Sequence, residues 1–70
     1  MNLEALNGKI QEINIPITTI ADKIGVSRRT LYLKLQGKRQ FRMSEANKIS
    51  DILRLTKEEK ISIFLDEEVD

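Results

Sequence analysis

Ile20-Ala21-Asp22-Lys23-Ile24-Gly25-Val26-Ser27-Arg28-Arg29-Thr30-Leu31 is the stretch whose reading decides the fold. Ile20 and Ile24 are one helical turn apart and, with Ile17, form the inward edge of a helix over Ile17–Ile24. Ala21 is small enough to let a second helix cross closely. Gly25 ends the helix, because a left-handed residue costs glycine little. Val26 plugs the turn, and Ser27 is a good N-cap for the helix that follows. That next helix is expected over Arg28–Gln36, with Leu31 and Leu35 inward and Gly37 as its stop.

The same spacing extends in both directions. Leu3, Leu6, Ile10 and Ile13 recur at steps of three and four, which predicts a helix from about Asn2 to Ile13. Gly8 weakens it by about 1 kcal/mol relative to alanine. Asn7-Gly8 is also a turn dipeptide. Ile13, Ile15 and Ile17 alternate as a strand would, although Pro16 argues against a central strand and suits the first turn of a helix. After a basic loop, Phe41 is expected to tuck into the core. A helix from Met43 or Ser44 to Leu53 turns Ala46, Ile49, Ile52 and Leu53 inward. Thr56-Lys57-Glu58-Glu59 has the form of a capping box and opens a helix carrying Ile61, Phe64 and Leu65. The expectation is an all-α, compact bundle of four to five short helices. Residues 1–65 form the domain, and 66–70 form an acidic, frayed tail.

Composition narrows the functional classes. A chain of 70 residues buries only about 60% of its unfolded surface, so a deep substrate cavity is not expected. There is no cysteine and no histidine, which removes disulfides, thiolate chemistry and the commonest metal ligand and acid–base group. No metal or cofactor is expected. No apolar run approaches the roughly 18 residues of a membrane span, and the N-terminal residues lack a signal-peptide pattern. The expected place is therefore the cytoplasm, with no membrane partner. Carboxylate pairs such as Glu58–Glu59 sit at a helix start, where charge complements the helix dipole, and no enzyme is expected.

The net charge of +1 conceals a polarity. Lys23, Arg28, Arg29, Lys34, Lys38, Arg39 and Arg42 are seven bases in a block without an acid. From Glu58 onward there are six acids and only Lys60 as a base. A polyanion suits the middle of such a chain; a solvated basic face is the plainer reading.

These residues resemble a known family. Ile20 to Lys38 looks like the lambda-repressor-like (Cro/C1-type) helix-turn-helix proteins of phages and bacteria, on the Ala-x-x-x-Gly-Val-Ser core between two helical patterns. Thr30 to Lys38 is similar to small repressor-like proteins of Gram-positive phages and prophages. So is the later pattern Phe41, Glu45, Ile49, Ile52-Leu53, Leu55-Thr56, Glu59 and Ile63-Phe64. The likeness spans about residues 15 to 65. It implies a homodimer on a two-fold symmetric double-stranded DNA operator, with residues 28–36 as the recognition helix in the major groove.

On that resemblance, Arg28, Arg29, Tyr32 and Leu33 are the candidate base-contacting residues. Each arginine suits guanine O6 and N7; a phosphate contact or a free surface charge is the alternative. Leu33 fits three roles: touching a thymine methyl, packing on another protein chain, or standing singly exposed. Tyr32 can also reach a phosphate or pack on the basic loop. Thr30 reaches a phosphate or bonds back to its own helix. Gln36, Lys38, Arg39 and Arg42 are candidate phosphate contacts, against a solvated loop. Thr18 and Thr19 are candidates where the preceding helix meets the backbone, or ordinary capping residues. Ile17 stands where the family often has a polar residue, a departure that weakens the Thr18 and Thr19 assignment.

The last helix offers a dimer surface of Ile61, Ile63, Phe64 and Leu65. Ile63 lies off the inward stripe and is the better subunit contact, while Ile61, Phe64 and Leu65 also suit plain core packing. The alternative function is a protein-binding module that grips another repressor through the same stripe. No small-molecule effector is expected, since the chain shows no large effector domain.

Overall fold

A computed structural model describes residues 1–64 of the chain. Among them are five helices and no strand: α1 (Leu3–Ile13), α2 (Ile17–Ile24), α3 (Arg28–Leu35), α4 (Met43–Leu53) and α5 (Lys57–Phe64). The expectations for Leu65 and for the acidic tail lie outside the described residues.

Each helix begins and ends for a local reason. The Ala5 N–H donates to Asn2 Oδ1 at 3.0 Å, which caps α1. Asn14 closes α1 in the left-handed region (φ 65°), with its N–H on the Ile10 carbonyl. Asn7-Gly8 is no turn. Asn7 stays helical and its side-chain amide donates to the carbonyls of Leu3 (2.9 Å) and Leu35 (3.3 Å), tying α1 to the end of α3. Pro16 precedes α2 and lends its carbonyl to the N–H groups of Thr19 and Ile20. The alternating isoleucines form no strand; half-buried Ile15 and Ile17 pack on the core from either side of Pro16.

Gly25 (φ 83°) turns the chain between α2 and α3, and both its N–H and that of Val26 donate to the Ala21 carbonyl. Ser27 Oγ accepts the Thr30 N–H at 3.1 Å and starts α3. The helix ends at Leu35, one residue before the sequence boundary, as the chain tightens toward Gly37 (φ 81°). A methyl group at Gly37 would lie 3.1 Å from Leu3 Cδ1. We therefore expect Gly37→Ala to cost at least about 1–2 kcal/mol, the penalty of a left-handed alanine. Thermal unfolding should read this as a midpoint lower by at least about 4 °C. An unchanged midpoint would show that the loop accepts another backbone path.

The core draws on every helix. Leu6, Ile20, Leu31, Ile49 and Leu53 are fully buried, and Ile10, Ala21, Ile24, Leu35, Ala46, Ile63 and Phe64 close around them. α2 packs against α3 and α4, while α1 packs against α4 and α5. Half-buried Val26 and Phe41 cover the edges, so the α2–α3 pair is held from behind by α4.

One expectation is reversed at α5. Ile63, read as the better subunit contact, is buried, and Ile61, read as a dimer-surface residue or as core packing, is 46% exposed. Burial of Ile63 and Phe64 in the core fixes the rotation, and polar contacts follow the same edge. The Glu59 N–H donates to Thr56 Oγ1 and the Thr56 N–H to Glu59 Oε1, as expected. Glu59 Oε2 also takes the Lys9 ammonium at 2.7 Å, which pins this edge of α5 to α1. Ile63 is one turn beyond Glu59 on the same edge, and its carbonyl receives the Asn2 N–H. Ile61, two residues back, must point away. Phe64 is buried as well, so among the described candidates Ile61 alone keeps an exposed apolar side chain on α5.

Candidate nucleic-acid interface

The outer face of α3 gathers the residues singled out by sequence. Arg28 and Arg29 are exposed, Tyr32 is 47% exposed and Leu33 is half-buried. The four line one open hollow with no acid in its walls. Leu31 and Leu35, on the inward edge, are buried and fix the rotation of the helix. The arginines extend from the first turn of α3, whose free N–H groups add positive potential there.

A second hollow lies on another side of α3. Thr30, Arg39, Arg42 and Gln40 line it together with Gly25 and Val26 of the turn. The Thr30 Oγ1 accepts a hydrogen bond from Ser27 Oγ at 2.9 Å, so its own hydroxyl hydrogen remains a donor. The partner is the N-cap hydroxyl and not a carbonyl of its own helix, and a phosphate contact stays open. Gln36 and Lys38 are exposed at the end of α3 but line neither hollow. Thr18 is exposed and Thr19 half-buried on the first turn of α2, and neither makes a side-chain cap there. The structure thus brings together Arg28, Arg29, Tyr32 and Leu33 in one group and Thr30, Arg39 and Arg42 in another.

Sequence reasoning missed the pair beneath the second hollow. Lys34, counted among the free bases, is buried and its ammonium binds Glu45 Oε1. Glu45 is buried too, and the same oxygen accepts the Arg42 N–H at 2.9 Å, capping α4. The Lys34 ammonium also sits 5.9 Å from the centre of the Phe41 ring. Burial pushes the Glu45 carboxyl up, but the hydrogen bonds from Lys34 and from the Arg42 N–H, with the charges of both residues, hold it below its ordinary value. The signal was available: position 34 is three residues beyond Leu31 and next to Leu35, on the inward edge of α3.

The pair has an electrostatic consequence. Unpaired, the Glu45 carboxylate would repel an anion in this hollow; Lys34 neutralises it. Among the described residues, Arg28, Arg29, Lys38, Arg39 and Arg42 have no ion-pair partner. Their charge is available to an external anion.

No protein-family model, curated protein or solved structure matches this chain. Chemically, the surface offers two guanidinium groups able to make bidentate bonds, a phenol, an apolar patch at Leu33, and a flanking cluster of bases. Among the described residues no helix is long and apolar enough to cross a membrane.

Proposed function

We propose that this chain is a sequence-specific double-stranded-DNA-binding regulator of transcription, of phage or prophage repressor or Cro type, acting as a homodimer. The observation that carries the reading is the acid-free outer face of α3, where Arg28, Arg29, Tyr32 and Leu33 share one hollow. α2, the Gly25-Val26-Ser27 turn and α3 have the order of a helix-turn-helix, in which the second helix enters the major groove. In this reading Arg28 and Arg29 read guanine edges, and Leu33 touches a thymine methyl. Thr30, Arg39 and Arg42 hold phosphates, with Lys38 and Gln36 further along the backbone. Thr18 and Thr19 meet phosphate at the start of α2. Ile61 contributes to the subunit contact. Regulation is steric, by occupancy of an operator that overlaps a promoter, in the cytoplasm of a bacterial cell. No catalytic step, cofactor or small-molecule effector enters the reading.

Fluorescence anisotropy on duplex DNA over a range of salt tests this. Affinity should fall steeply as salt rises, because each neutralised phosphate releases counterions. Lys38→Ala should weaken binding to every sequence alike and lower the salt slope by about one. An unchanged slope would remove Lys38 from the phosphate contacts. A second reading, a module that grips another repressor protein, draws on the exposed Tyr32 and the apolar Leu33 in the middle of the face. It predicts little salt dependence and a loss of partner binding in Leu33→Ala.

A further inference from the structure

Phe64, the last described residue of α5, lines an open hollow whose walls include Leu3, Phe41, Met43, Arg39 and Arg42. The hollow is apolar in its half-buried part, at Leu3 and Phe41, and cationic at its exposed edge. Met43 is 72% exposed there, the most exposed large apolar side chain among the described residues. Lys34 also borders this space, but Glu45 already neutralises it. Arg39 and Arg42 have no carboxylate partner among the described residues.

The chain continues from Phe64 as Leu65-Asp66-Glu67-Glu68-Val69-Asp70. Four of these six residues are acids and two are apolar. We propose that this segment docks in the hollow of its own chain, with Leu65 and Val69 against Leu3, Phe41 and Met43 and its carboxylates on Arg39 and Arg42. Three observations support it. The tether starts inside the hollow, at Phe64. Six residues reach at most about 20 Å, enough to cross a hollow that Phe64 itself lines. The sequence pairs apolar with acidic groups, as the hollow pairs apolar with basic ones. Tethering adds an effective concentration in the millimolar range, so weak exposed ion pairs suffice.

The regulatory consequence rests on the DNA reading; the docking itself does not. Arg39 and Arg42 are the side chains that would hold phosphate. A docked acidic segment competes for them with any polyanion. Random duplex binds by charge alone and loses most to this competition. A preferred sequence, held also by Arg28 and Arg29, displaces the segment. The device raises the ratio of specific to non-specific binding.

The test uses the full chain and a full-length variant carrying Asp66→Asn, Glu67→Gln, Glu68→Gln and Asp70→Asn. NMR without DNA at low salt reads the Met43 methyl and the Arg39 and Arg42 Nε–H resonances. They should differ between the two chains. Those of the native chain should move toward the variant's positions as salt rises to about 1 M, where screening acts over about 3 Å. Identical resonances in both chains would overturn the docking. So would a native Met43 resonance that follows protein concentration, which would put a second copy in the hollow. On random duplex at low salt the variant should bind about three- to tenfold tighter, the size of two exposed ion pairs. The gain should shrink in an Arg39→Gln/Arg42→Gln background. A gain that persists undiminished there is a general charge effect and overturns the proposal. If the resonances shift but neither chain binds duplex DNA, the docking stands and the DNA reading falls.

Discussion

Glu45→Ala is expected to lose about 3–5 kcal/mol of folding stability, because it leaves the buried Lys34 ammonium without its partner. A chain of 70 residues has a total stability of only about 4–10 kcal/mol, so the loss is about a third or more of the whole. Two effects are joined in that number. Glu45 neutralises Lys34, and it also accepts the Arg42 N–H that starts α4. Glu45→Gln separates them: the amide oxygen can still cap α4, but the charge is gone. It should cost less than alanine and still far more than an exposed substitution. The double change Lys34→Met/Glu45→Leu removes both charges while keeping bulk, and should recover much of the loss, since no buried charge is left behind. Urea unfolding of the four chains measures this. Equal stability of Glu45→Ala and the native chain would mean that water, not Glu45, satisfies Lys34.

Acid should act through the same group. The Glu45 carboxyl in the folded chain is held below its ordinary value of 4.5. The unfolded chain therefore takes up its proton first as pH falls. The stability due to Glu45 is complete above the ordinary carboxylate range and is lost as pH drops through the lower folded value. Glu59 is held low as well, first by the hydrogen bond from Lys9 and then by the Thr56 N–H, so its contribution fades in the same direction. Glu45→Gln should flatten the acid limb without abolishing it.

The double variant Arg28→Ala/Arg29→Ala should lose about 1–3 kcal/mol of binding per arginine on the preferred duplex, the worth of a bidentate guanine contact. Preference should relax at the base pairs each arginine reads, while random duplex loses only the shared electrostatic part. Both side chains are exposed and without ion-pair partners among the described residues. The variant should therefore keep its melting temperature, since exposed substitutions stay within about 0.5 kcal/mol. An equal loss on every sequence would make the arginines phosphate contacts and leave the face without a base reader.

Much of the fold was legible because its signals are local. The Gly25-Val26-Ser27 turn and the Thr56–Glu59 capping box each depend on residues within four positions and lie where they were read, and α3 stops one residue short of the boundary read from Gly37. The inward stripes of α2, α3 and α4 follow from spacing alone. What was lost depended on partners distant in sequence. The rotation of α5 follows burial of Ile63 and Phe64 against the core, with Lys9, fifty residues away from Glu59, bound along the same edge, so spacing within a short helix with isoleucine at both 61 and 63 could not choose between them. Lys34 was counted by its charge, although its position on the inward edge of α3 required a buried partner; that partner, Glu45, is on another helix. Asn7 was read as half of a turn dipeptide, whereas its amide reaches the Leu35 carbonyl. The candidate face was legible for a simpler reason. Arg28, Arg29, Tyr32 and Leu33 recur at steps of three and four along one side of α3, and burial of Leu31 and Leu35 on the inward edge leaves that side turned outward.

The most direct test of the central claim is selection of binding sites from a random duplex pool by the full chain, followed by a salt titration on the enriched sequence. The account predicts a two-fold symmetric motif, with half-sites about one helical turn apart, whose affinity falls steeply with salt. Recovery of no enriched sequence, with no salt-dependent binding to duplex DNA, would contradict it.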